Sequence, residues 1–172
     1  VALSEHECPI EPGPSMQQFL NKITEITGQT GDPLDLLAKL GPAVRMLGSG
    51  VRNTLNTTML SAGYKQNVVP GQAEANIDGR FLPGQEDTYL RTIENLAGPH
   101  VAVEKTIGAP ALEYPFEGDL VDAMTLSLLR HDPGAHVAPY LMSGGTDAKA
   151  WDRLGITSYG FTPLRLPAEL DF

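Results

Sequence analysis

Cysteine is almost absent from this chain. Cys8 is the single one in 172 residues, which excludes a disulfide framework and a zinc site built from cysteines. Basic charge is scarce too: 12 Lys and Arg stand against 21 Asp and Glu, a net charge of −9. A nucleic-acid-binding surface needs a basic footprint that this composition lacks, and an anionic membrane surface would repel it. No apolar run approaches the roughly 20 residues of a membrane-spanning helix. The opening residues Val1-Ala-Leu-Ser-Glu-His6 hold neither a basic region nor an apolar stretch, so they do not read as a signal peptide. Internal repeats and low-complexity tracts are missing. These absences lead to the expectation of a soluble, cytoplasmic protein with neither nucleic acid nor membrane as partner. Hydrophobic residues make up 41% of the chain, enough for a core, and a chain of this length buries about two-thirds of its unfolded surface.

The patterning divides the chain. Met16, Phe19, Leu20, Ile23 and Ile26 recur at helical spacing, predicting a helix over residues 15–27 with Ser15 as N-cap and Gly28 as stop. A shorter helix follows Asp32-Pro33, carrying Leu34, Leu36, Leu37 and Leu40. Strands are expected over 55–64, 73–81 and 101–103, with a helix over 87–96 between the last two. This order fits an α+β unit with helices on one face of an antiparallel sheet. After a loop at 113–118 the character changes. A helix over 120–130, a short apolar strand over 136–141, a glycine-rich loop, a helix over 148–154 and a strand over 157–161 suggest an α/β segment with a parallel sheet. The boundary falls near 107–115, giving units 1–106 and 107–172. The chain starts at Val1 without a methionine and stops at Asp171-Phe172 without a tail. A segment of a longer protein is therefore expected, incomplete in both units.

The stretch from Asn67 to Arg80 is the most informative. A Pro-Gly turn separates two strands, and the second alternates strictly. Ala73, Ala75, Ile77 and Phe81 face one way; Glu74, Asn76, Asp78 and Arg80 face the other. Asn67 and Arg80 thus read as an amide and a guanidinium on one polar sheet surface, suited to a ligand carboxylate because the guanidinium fork binds two oxygens. The plainer alternative has Asn67 closing a turn and Arg80 paired with Asp78 on a solvated face.

The loop Ser143-Gly-Gly-Thr-Asp147 stands between an expected strand and an expected helix. Its glycines admit close approach of backbone N–H groups to a ligand, the helix N-terminus favours an anion, and Thr146 offers a hydroxyl. Asp147 can serve as a helix cap, and a tight turn with an ordinary cap is the competing interpretation. The loop lacks P-loop spacing. His6, His100, His131 and His136 form no metal-binding pattern, and Ser143 is not in a nucleophile elbow, so a serine hydrolase is a remote reading. Cys8 shows no sign of activation. No adjacent carboxylates suit a general base. The chain offers residues that bind a substrate and none that convincingly hydrolyse one.

Three ordered segments resemble the M20 family of zinc-dependent peptidases and aminoacylases, of the carboxypeptidase G2, succinyl-diaminopimelate desuccinylase and acetylornithine deacetylase types. They are Ser61-Ala-Gly-Tyr-Lys-Gln-Asn-Val-Val-Pro with Ala73-Glu-Ala-Asn-Ile-Asp-Gly-Arg80 and Leu82-Pro-Gly84; Met142-Ser-Gly-Gly-Thr-Asp-Ala-Lys149; and Gly155-Ile-Thr-Ser-Tyr-Gly-Phe-Thr-Pro163 running into Leu164-Arg-Leu-Pro167. The resemblance implies a lid domain, inserted into a catalytic α/β domain, with a four-stranded antiparallel sheet and two helices. The lid's first strand is expected to be missing from this chain. The resemblance also implies two zinc ions in the complete protein, a metal-bridged water attacking an amide carbonyl, and a homodimer formed through the lid. Asn67 and Arg80 match the lid residues that grip a substrate carboxylate, often in the partner subunit's site; Gly144, Gly145 and Thr146 match a substrate-contacting loop.

The resemblance also sets limits. The family's His-x-Asp segment, bridging aspartate, Glu-Glu pair and lid histidine would precede Val1, and its last metal histidine would follow Phe172. Neither a metal ligand nor a catalytic residue is therefore expected within the chain, which alone is expected to be inactive. Lys149 stands where relatives often carry arginine. The implied function is hydrolysis of an amide next to a substrate carboxylate, of the dipeptide or N-acyl amino acid class. The alternative is a non-catalytic dimerisation or carboxylate-binding module.

Overall fold

The computed structural model describes residues 2–106, 108–164 and 167. It is a mixed α/β structure with seven α-helices and a two-stranded antiparallel sheet among those residues. Helix α1 (Ala2–Glu5) leads into α2 (Pro14–Thr27), α3 (Pro33–Ala38) and α4 (Val44–Leu47). The hairpin β1 (Thr54–Ala62) and β2 (Ala73–Arg80) follows, then α5 (Glu86–Ala97), α6 (Asp119–His131) and α7 (Ala148–Asp152).

The N-terminal helices form where the apolar spacing places them. Pro14 occupies the first turn of α2, where its missing N–H costs nothing. The N-cap is Gly13 rather than the expected Ser15, which is buried inside the helix. Gly28 ends α2 in the left-handed conformation, φ 67°, and its N–H donates to Thr24 O at 2.8 Å. Asp32 caps α3 by accepting from Leu34 N at 2.9 Å. Met16, Leu20 and Ile23 of α2 pack with Leu36, Leu37, Leu47 and Val51 into the main core, flanked by Ile10, Phe19 and Leu141.

A second, smaller core sits at the base of the hairpin. Cys8, Tyr89 and Ile93 are buried there against Leu3, Leu55 and Phe81. Helices α1 and α5 thus cover one end of the sheet, while α2–α4 form a separate cluster. The hairpin register runs from Thr54↔Arg80 to Ala62↔Ala73, with a bulge between Thr57 and Met59. Thr58 is the extra residue, and it reverses the facing of β1 beyond it. Partners in an antiparallel pair share a face. Leu60 and Ala62 therefore lie beside Ala75 and Ala73, on the same face as Leu55, Thr57 and Ile77. Leu60 is 78% exposed, so this apolar face is covered only near its base.

The expected strands at 101–103, 136–141 and 157–161 do not form, and the described residues after 106 contain helices but no strand. A strand exists only when a neighbour supplies the opposite N–H and C=O groups. Among the described residues no segment pairs with these stretches in a β ladder. The expected α/β sheet of the second unit is correspondingly not seen among the described residues, and the sheet of the first unit has two strands there rather than the three expected of this chain.

Candidate carboxylate-binding site

Arg80 is the last residue of β2, at the hairpin base. Its Nε–H donates to Asp78 Oδ2 at 3.0 Å, and Nη1 donates to the carbonyl oxygen of Ser143 at 3.0 Å. The alternation of β2 places Asp78 and Arg80 on one face, two residues apart, which accounts for the first contact. The second spans 63 positions and draws the glycine-rich loop against the sheet. Both side chains of the ion pair are about half exposed. Two expected site elements, Arg80 and the loop containing Gly144, Gly145 and Thr146, are thus brought together.

Asn67 is not part of that cluster. It lies in the connection between Ala62 and Ala73, at the opposite end of the hairpin. Seven residue steps of about 3.3 Å separate Ala73 from Arg80, so about 23 Å of strand intervenes. Asn67 instead lines an open concavity with Gly63, Tyr64, Lys65 and Pro70. The expectation that one polar surface presents both groups is corrected here. A turn-proximal residue and a strand-terminal residue of one hairpin stand at its two ends, and one protomer cannot close both on a single carboxylate.

The glycine loop is open. Gly144 and Gly145 are exposed and neither adopts positive φ. A Cβ built on Gly145 meets nothing within 4 Å, and one on Gly144 meets only Met142 Cε at 3.8 Å. Thr146 is exposed beside them. Asp147 is the N-cap residue of α7, yet its side chain makes no capping bond. Helix α7 has five residues, too few aligned peptides for a strong end dipole, so the expected anion-binding N-terminus is weak. No hydrogen bond joins the Ser143 hydroxyl to a histidine among the described residues, which leaves the serine-hydrolase reading without geometry.

Side chains that the sequence did not mark hold this arrangement. Asn53 Oδ1 accepts from Leu82 N at 2.6 Å, and its Nδ2 donates to Gln85 Oε1 at 2.7 Å. Gln85 Nε2 donates to Glu11 Oε2 at 2.9 Å. This chain of amides fixes the hairpin base, where Arg80 stands. Tyr89 is buried and donates to Thr54 O, and burial raises its hydroxyl pKa well above the ordinary tyrosine value. Cys8 is likewise pushed up by burial, with Arg52 opposing, consistent with an unreactive thiol. No spacing or motif announces Asn53 or Glu11, because each acts through a partner far away in sequence.

Among the described residues there is no group of three or more His, Cys, Asp or Glu that could hold a metal ion. The described residues therefore do not fit a zinc centre. No helix among them is long and apolar enough to cross a membrane.

The hairpin, its covering helices and the arginine at its base belong to a recognised class. Residues 9–103, more than half of the chain, match the M20 family described as the peptidase dimerisation domain, and the chain belongs to that family. It is also 26% identical over 119 residues to a protein of Dictyostelium discoideum called "Probable carboxypeptidase S-like 2". That alignment covers 67% of the chain and 23% of the relative, so the chain spans under a quarter of the curated relative it matches. No solved structure matches.

Proposed function

We propose that this chain is the dimerisation unit (1–106) and part of the catalytic domain (107–172) of a metal-dependent peptidase or amidohydrolase. The reaction would hydrolyse an amide next to a substrate carboxylate, in a dipeptide or an N-acyl amino acid. The chain supplies carboxylate binding and the dimer contact; the two zinc ions belong to residues outside it. The four-stranded lid arises when the open hairpin edges find partner strands, since exposed edges and an uncovered apolar face call for pairing.

One observation carries the reading. Arg80 bonds to Ser143 of the glycine loop, while Asn67 stands at the far end of the hairpin. Arg80, Gly144, Gly145 and Thr146 then serve the site of their own protomer, and Asn67 reaches the site of the partner. A two-fold axis makes the exchange reciprocal.

Subunit complementation tests this. Arg80→Ala and Asn67→Ala would be made separately in the full-length protein and then refolded together, with hydrolysis of N-acetyl amino acids and dipeptides as the assay. Each variant alone is expected to be nearly inactive. Random mixing gives heterodimers in half of the assemblies, each with one intact site, so about one quarter of wild-type activity should return. No recovery on mixing would refute the shared site. The second reading, a non-catalytic binding module, is favoured by the absence of a ligand cluster among the described residues. Stoichiometric zinc and amidase activity in the full-length protein would exclude it.

A further inference from the structure

The glycine loop is tied down on both flanks, and both ties lead to the N-terminus of α2. On one side, Leu141 N donates to Met16 Sδ at 3.3 Å, and Met16 is fully buried. On the other side, Asp152, at the end of α7, accepts from Tyr114 Oη at 2.6 Å. The residue before Tyr114 is fixed in turn. Glu113 Oε1 accepts from Ser15 N at 2.7 Å, across 98 positions. Helix α2 has no side-chain cap from its own Gly13, so Glu113 caps it from a distance. Gly13 leaves room for this: a Cβ there would lie 2.9 Å from Glu113 Oε2. Tyr159 adds a third tie, donating to Pro115 O at 2.6 Å, with its ring edge-on to Tyr114 at 6.3 Å.

We propose that Glu113 and Tyr114 are positioning residues, forming a strut from the α2 N-terminus to α7 that sets where the loop at 143–147 stands against Arg80. The strut rests on the reading of that loop and Arg80 as a substrate site. Without it, α7 is too short to hold its own orientation, and the two glycines leave the loop free to swing. The donated hydrogen bond to Asp152 also raises the Tyr114 hydroxyl pKa.

The test needs no substrate. Backbone 15N relaxation would be recorded at Gly144 and Gly145 in the full chain, with α5 as the internal control. Trp151, the single tryptophan, reports α7 through its emission. Wild type should give order parameters near the rigid value of about 0.85, and Tyr114→Phe should lower them below about 0.6 at the two glycines while α5 is unchanged. Asp152→Asn keeps an acceptor oxygen and should stay near wild type; Asp152→Ala should copy Tyr114→Phe and serves if that variant fails to fold. Glu113→Ala should raise amide exchange at Ser15 at least about tenfold. A wild-type loop already below 0.6, an unchanged loop in Tyr114→Phe and Asp152→Ala, or equal loosening of α5 would each overturn the strut. Normal turnover by Arg80→Ala alongside a loosened loop in Tyr114→Phe would remove the substrate assignment and leave the strut intact.

Discussion

Gly79→Ala is a one-carbon change whose cost can be worked from the hairpin base. Gly79 lies in β2 opposite Leu55, and its φ is not in the positive range, so alanine can adopt its backbone without strain. The obstacle is Tyr89. A Cβ on residue 79 would lie 2.7 Å from Tyr89 Cε1 and 2.7 Å from its hydroxyl oxygen. The ring cannot simply retreat, because Tyr89 is 3% exposed, tilts against Phe81 at 6.0 Å and donates to Thr54 O. Overpacking of this kind costs about 1–3 kcal/mol. Replacing glycine returns about 0.4–1 kcal/mol by restricting the unfolded chain. The net destabilisation therefore lies between about 0 and 2.6 kcal/mol, and its midpoint of about 1.3 kcal/mol is a drop of roughly 3–5 °C in Tm for a chain of this size. Calorimetry of Gly79→Ala, Tyr89→Leu and the double variant checks it. The double variant should recover part of the clash, giving a non-additive cycle. An unchanged or higher Tm for Gly79→Ala would refute the packing argument.

Two further outcomes follow from the same region. Asn53→Ala should destabilise by about 1–3 kcal/mol, because it strands the Leu82 N–H and Gln85 together; urea unfolding measures it, and a loss under about 0.5 kcal/mol would contradict the clasp. Tyr89 is neutral in the fold with a raised pKa, so its contribution is complete below the unfolded value of about 10 and is lost as pH rises beyond it. The midpoint of unfolding should fall on going from pH 9 to pH 11, and Tyr89→Phe should flatten part of that fall; an equal slope in both proteins would count against the assignment.

The helices were legible because their signals are local. Apolar spacing, Pro14, Asp32 and Gly28 place α2 and α3 within a few residues of their expected bounds, and the alternation of 73–81 gives β2 directly. What failed to appear were strands with no local cue to their partner. Short stretches such as 136–141 carry strand character in their side chains, but hydrogen-bonding neighbours decide whether a strand exists. The site divides in the same way. Arg80 and the glycine loop carry chemistry that residue type announces. The distance between Asn67 and Arg80 depends on which end of a hairpin each occupies, and the assumption of one shared surface overlooked that geometry. Glu113 acts through a backbone amide 98 positions away, and no window along the chain contains both.

The pairing of Arg80 with Asp78 on a solvated face stood as the plainer alternative to carboxylate binding, and the structure shows that pairing. A guanidinium has five N–H donors. Asp78 takes the one on Nε, and Ser143 takes one on Nη1, which leaves the second on Nη1 and both on Nη2. An exposed ion pair contributes about 0–1 kcal/mol, so Asp78 adds little stability where it stands. Its contact and that of Ser143 hold the guanidinium at two of its three nitrogens, Nε and Nη1. Under the proposed function, a ligand carboxylate meets an arginine already held by two contacts, so less side-chain entropy is lost on binding than with a free arginine. On that proposal, the salt bridge and the grip are two uses of one fork.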